Sequence, residues 1–164
     1  VKRNSSIPFV VRTAGLETKV LGTEFNINAY PKNEFVAVTL ESGSVSVTGS
    51  LKENLLLNPG EQAKFSLETR ELTKSAVDIS QVISWREKRL IFDDTPIDEA
   101  FNTLERWYGV EFIFNNDPQL NCYVNGVFEK APLAAVLENL SFVKDFEFEL
   151  IESNQVIIKG QICK

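Results

Sequence analysis

A chain of 164 residues with no histidine lacks the commonest general base and the usual partner of a serine or cysteine nucleophile, so acid–base work would fall to carboxylates. Asp93 and Asp94 form an adjacent acidic pair just ahead of Thr95-Pro96, a position that reads as a strand end and helix start rather than a proton-transfer site. Two such carboxylates beside a helix start offer oxygens to a hard cation, but calcium takes about six to eight ligands and no further Asp or Asn follows at EF-hand spacing. Gly-rich phosphate loops are absent. The two cysteines, Cys122 and Cys163, match no metal spacing; a disulfide between them is open, and two free thiols are the expectation. Gly22-Thr23, in VLGTEF, carries a different chemistry. A strained Gly-Thr peptide permits attack of the Thr hydroxyl on the preceding carbonyl, an N-to-O acyl shift that ends in chain cleavage. The plainer alternative is that Gly22 supplies an unusual φ at a turn or bulge. No catalytic, metal or cofactor site is assigned, and the chain reads as a non-enzyme.

The elements that would position these residues are organised around an internal repeat. LIFDDTPIDEAFNTL followed by VEFIF returns 36 residues later as GVFEKAPLAAVLENL followed by FEFEL. Phe92 aligns with Phe128, Pro96 with Pro132, Phe101 with Leu137, Leu104 with Leu140 and Phe112 with Phe148, which is one supersecondary unit used twice. Each copy predicts strand, amphipathic helix, strand, because apolar residues recur at i, i+3, i+4 and i+7 between two short alternating runs. Thr95 is placed as N-cap with Pro96 at N1, Asp98 and Glu99 suit the first turn, and Gly109 supplies the stop. The second helix starts with Ala131, which cannot cap. With a last strand over Gln155 to Lys159, the expectation is one small sheet covered by two helices on one face.

Ahead of the repeat, Pro8 to about Glu68 alternates with period two, the mark of antiparallel strands with one buried face. FVVRTA, ETKVLG, EFNINAY, FVAVTLE, SVSVTG and QAKFSLE are the candidate strands, and no helix fits. The first of them has no evident partner, which suggests further strands upstream. The expected fold class is therefore two domains: an all-β antiparallel sandwich or roll over 1–69, a connection over 70–84 with room for a helical turn, and a small α+β domain of two β-α-β repeats over 85–164.

Composition narrows function. A net charge of −6 and a pI near 4.8 argue against nucleic-acid binding, which needs a basic face. No apolar run approaches the roughly 18 residues of a membrane helix, and no signal-peptide pattern opens the sequence. A start at Val1 with no methionine anywhere reads as a piece of a longer protein.

VLGTEFNINAY, VAVTLESGSVSV and LNPGEQAKFS resemble the C-terminal part of the periplasmic FecR-like domain of anti-sigma regulators. RLIFDDTPIDEAFNTLERWYGVEF and PLAAVLENL resemble the small domain appended to such proteins in the Bacteroidetes, similar to the secretin and TonB short N-terminal (STN) fold. The resemblance implies a periplasmic segment of an inner-membrane protein, a sensor that receives a signal from the signalling domain of an outer-membrane TonB-dependent transporter. It would relay that signal to a sigma factor through a cytoplasmic segment outside this sequence. It also implies breakage at a Gly-Thr bond, hence Gly22-Thr23. Edge chemistry adds a docking expectation: the last strand, with Val156, Ile157 and Ile158, as the open edge that the transporter domain pairs with. The rival reading is a cell-envelope glycan-binding β domain with an accessory α+β domain, for which Tyr30 and Phe35 would have to be exposed on a concave β face.

Overall fold

The computed structural model describes residues 1, 7–115, 121–151 and 154–163, and the chain divides into two compact units, Val1–Ile83 and Ser84–Lys164. In the first unit eight strands run in order: β1 Phe9–Thr13, β2 Leu16–Val20, β3 Glu24–Asn28, β4 Phe35–Ser42, β5 Val45–Gly49, β6 Asn54–Leu57, β7 Glu61–Ser66 and β8 Leu72–Ala76. They form two antiparallel four-stranded sheets, β1-β2-β5-β6 and β3-β4-β7-β8. The alternation read from the sequence becomes a core shared between them: Leu16, Val20, Val45, Val47 and Leu57 from one sheet meet Val36, Val38, Leu40, Ala63 and Phe65 from the other.

Three expectations change in this unit. The first strand has its partner in the next one, since β1 pairs with β2 through the tight Ala14-Gly15 turn. The expected connection over 70–84 is structured: β8 lies within it, paired to β7, and helix α1 (Ile79–Val82) follows, begun by Asp78, whose side chain accepts from Ser80 N–H at 2.9 Å. α1 lies against β4, whose Ala37 and Thr39 are buried on the face opposite Val36, Val38 and Leu40. Contact with α1 therefore carries the first unit through Ile83.

The second unit opens with a 3-10 turn over Ser84–Glu87 and contains β9 Arg89–Pro96, α2 Ile97–Tyr108, β10 Glu111–Phe114, β11 Tyr123–Glu129, α3 Leu133–Lys144, β12 Glu147–Ile151 and β13 Gln155–Lys159. α2 and α3 stand at the 36-residue offset at both ends. The backbone repeats too: Asp94 and Lys130 have φ of 45° and 49°, and the helices stop at left-handed Gly109 and Asp145. Strand register obeys the same exchange. Leu90 lies opposite Phe128 and Phe92 opposite Gly126, each pair the image of the other, so an approximate twofold axis passes between Ile91 and Val127. Phe92 and Phe128, equivalent residues, meet edge to face with centroids 6.2 Å apart.

The expected single sheet is instead a two-stranded antiparallel ribbon, β11-β9, and a three-stranded sheet, β10-β13-β12. The first strands of the two copies pair with each other, and β13 fills the gap between the second strands, parallel to β10 and antiparallel to β12. Ile113, Ile157 and Glu149 share one row, which puts Ile157 on the same approximate axis. One core serves both copies: Ile97, Ala100, Phe101 and Leu104 from α2 join Val136, Leu137 and Leu140 from α3, with Phe112, Val156 and Ile158 from the sheet. Phe101 sits at its centre, its ring 4.9, 5.2 and 6.0 Å from those of Phe112, Phe114 and Phe146.

Thr95 does not cap α2. The strand runs on through Pro96, and the Thr95 hydroxyl accepts from Asp93 N–H at 3.1 Å instead. The first helical donor, Ile97 N–H, goes to the Cys122 carbonyl at 3.0 Å. Cys122 is not a free thiol: it pairs with Cys163, their Cα atoms 5.6 Å apart, correcting the expectation of two free cysteines. This bridge fastens the C-terminal tail, whose Ile162 is 1% exposed within the core.

Two outcomes follow from this packing. Phe101→Ala and Leu137→Ala should each lower unfolding free energy by about 3–5 and 2–5 kcal/mol respectively, read from urea titrations, and a loss under 1 kcal/mol at either site would contradict the shared core. Reducing the disulfide, which closes a separation of 41 residues, should cost about 4 kcal/mol by loop entropy. The check is the same titration with and without reductant, alongside a Cys122→Ser/Cys163→Ser double variant that should be insensitive to it.

Candidate functional site

Gly22-Thr23 bridges β2 and β3. Gly22 takes φ 143°, a region other residues rarely enter, and β3 carries a bulge between Glu24 and Phe25. Thr23 is 3% exposed, and its hydroxyl donates to the Ser44 carbonyl at 3.4 Å. Gly43 presses on the same peptide: a Cβ there would come within 3.0 Å of both the Gly22 oxygen and Thr23 Cγ2. The bond is thus held in a glycine-only conformation and closely packed, with the hydroxyl directed to an acceptor. The turn-or-bulge role read for Gly22 is visible in this geometry. The Thr23 carbonyl accepts from the Val1 amino group at 2.7 Å.

Asp93 and Asp94 are exposed at the bend of β9, where Asp94 N–H donates to Asn125 Oδ1 at 2.7 Å across the ribbon. They shape the strand end. Among the described residues no group of three or more His, Cys, Asp or Glu is placed to hold a metal ion.

Tyr30 is exposed and Phe35 is half-buried. Tyr30, 50% exposed, lies in the loop between β3 and β4, while Phe35, on β4, carries Lys64 Nζ 3.7 Å above its ring.

The docking expectation for Val156, Ile157 and Ile158 fails on topology. β13 is the middle strand, with β10 on one side and β12 on the other, and Val156 and Ile158 are buried at 1% and 2%. Burial alternates along it, with Val156 and Ile158 buried and Ile157 half-buried on the other face, so the strand has one fully covered face. Among the described residues the outer strands of this sheet are β10 and β12. On the face away from the helices lie Glu111 and Ile113 of β10, Gln155, Ile157 and Lys159 of β13, and Glu147, Glu149 and Ile151 of β12. Lys159 Nζ meets Glu149 Oε2 at 2.6 Å, which holds the Glu149 carboxyl below and the Lys159 ammonium above their ordinary pKa values. On the helix side, Tyr108 donates its hydroxyl to the Ala131 carbonyl at 2.7 Å, and burial raises its pKa.

Comparison with known proteins agrees with this architecture. Residues 89–158 match the family model described as FecR, C-terminal. Two crystal structures, at 1.65 and 2.50 Å, of a proposed anti-sigma factor from Parabacteroides distasonis are similar to the chain, each with 29% identity and a TM-score of 0.83. The similarity covers 98% of this chain and 75% of that one. No curated protein matches. No helix among the described residues is long and apolar enough to cross a membrane.

The central place of β13 has a direct consequence. Ile157→Pro removes a ladder donor from the middle of the sheet and should destabilise the second unit, lowering its melting temperature. A thermal melt indistinguishable from that of the unaltered protein would contradict the strand order.

Proposed function

We propose that this chain is the periplasmic sensor and relay part of a transmembrane anti-sigma regulator, receiving a signal from the signalling domain of an outer-membrane TonB-dependent transporter. The sigma factor is held by a cytoplasmic segment of the same protein outside this sequence. The observation that carries the reading is the combination of the FecR C-terminal match over 89–158 with a likeness to the proposed anti-sigma factor from Parabacteroides distasonis that extends over both units. The Cys122–Cys163 disulfide favours an oxidising compartment, as the periplasm is and the cytoplasm is not. In this reading the second unit, two β-α-β copies around one core, is the STN-like domain, and the first is the C-terminal part of the FecR-like β domain. The net charge of −6 makes nucleic acid an unsuitable direct partner.

The test is a binding titration of the oxidised chain against the periplasmic signalling domain of the TonB-dependent transporter encoded beside it. Saturable one-to-one binding supports the relay. No binding at about millimolar concentration, with both proteins folded, overturns it.

Gly22-Thr23 is proposed as the cleavage bond of the same regulator. Thr23 Oγ1 attacks the Gly22 carbonyl carbon, the Gly22–Thr23 C–N bond breaks as the amine takes the proton, and water hydrolyses the resulting ester. Intact mass spectrometry over days should show two fragments meeting at this bond. Thr23→Ala should abolish them and Thr23→Ser retain them, whereas an unaltered protein that keeps its full mass leaves Gly22 as a bulge residue alone.

A further inference from the structure

The approximate twofold makes the two free edges of the three-stranded sheet images of each other, so each is a control for the other. β10 and β12 match residue for residue: Glu111 with Glu147, Phe112 with Phe148, Ile113 with Glu149, Phe114 with Leu150. They have not been finished alike. On the helix-facing side Phe114 is half-buried against the Phe101 ring, 5.2 Å between centroids, while Leu150 is 52% exposed although its neighbour across the ladder, Val156, is buried. On the other side β10 offers one carboxylate and Ile113, and β12 offers Glu147, Glu149 and the partly exposed Ile151. The strand residues of that whole face carry three carboxylates, Glu111, Glu147 and Glu149, against one cation, Lys159.

We propose that the outer edge of β12, Glu147–Ile151, is a strand-addition site for an extended segment of a partner protein in which basic and apolar residues alternate. Among the described residues no strand flanks this edge, so its outward backbone groups are open to a further ladder. Side chains directly opposite one another share a face. An added strand therefore sets its lysines or arginines beside Glu147 and Glu149 and its apolar residues beside Phe148 and Leu150, covering the leucine that the helix layer leaves open. A second copy of this chain is the wrong occupant. Antiparallel self-pairing in full overlap centres Glu149 on Glu149, and like charges directly opposite destabilise a ladder. The inference deepens the relay reading by giving the chemistry of the contact strand, and rests on that reading for the partner being a signalling domain.

The probe is a capped peptide alternating Lys and Val over seven positions, titrated into the isotopically labelled chain and followed by amide NMR. The expected result is saturable shift changes and slowed hydrogen exchange confined to Glu147–Ile151. Affinity should fall about three- to tenfold in the Glu147→Gln/Glu149→Gln variant, as for loss of two exposed ion pairs, and be lost to a peptide with Glu in place of Lys. Changes centred on β10 or on the β11-β9 ribbon, equal binding of the acidic peptide, or no binding overturns the proposal. Concentration-dependent line broadening of β12 amides without peptide also overturns it, since the occupant is then a second copy. Because the transporter takes no part, these failures leave the relay reading standing, and failure of the transporter domain to bind leaves the edge result untouched.

Discussion

Two short amphipathic helices, each with a single apolar stripe, cannot be buried by the four- and five-residue strands that follow them. The whole second unit answers that constraint. Phe101 and Leu137, equivalent positions on α2 and α3, end up in one core, and that core can close only if the two copies face each other. The antiparallel β11-β9 ribbon, with its self-exchanging register, is the form that facing takes on one side. On the other side the second strands stand apart, and β13 enters between them with Val156 and Ile158 pointed at the helices. A strand from outside the repeat thus completes it.

The tail after β13 is tied to the same centre. Ile162 lies in the core, and the bridge from Cys163 reaches Cys122, whose carbonyl receives the first N–H of α2. Neither α2 nor α3 has a side-chain cap, and at α2 a backbone acceptor, Cys122 O, takes the first N–H, that of Ile97. Ordering of Ile162 and Cys163 is therefore coupled to the start of α2.

Much of this was legible because local pattern and tertiary role agree. The i, i+3, i+4 spacing placed α2 and α3, Gly109 marked its stop through its left-handed φ of 68°, and period two marked most of the sandwich strands. What escaped depends on partners distant in sequence. NLLL of β6 and LTKSA of β8 do not alternate, and their strand character comes from pairing with β5 and β7. Thr95 has the residue type of a cap, yet the strand continues past it because Tyr123 pairs with Pro96. Cys122 and Cys163 are 41 residues apart, and only the fold brings them together. Val156 to Ile158 comes last in the chain, yet its place between β10 and β12 depends on pairings with strands distant in sequence.

The unequal edges of a near-symmetric sheet leave one surface unfinished on a body built around a single core. That account requires the two copies to stand or fall together. Native-state hydrogen exchange on the oxidised full chain tests it most directly, by comparing the slowest amides of α2, around Leu104, with those of α3, around Leu140. One shared core predicts opening free energies equal to within about 1 kcal/mol for the two helices, both at the value for global unfolding of the unit. If α3 opens several kcal/mol below α2, the copies are separate folding units and the shared core does not govern the structure.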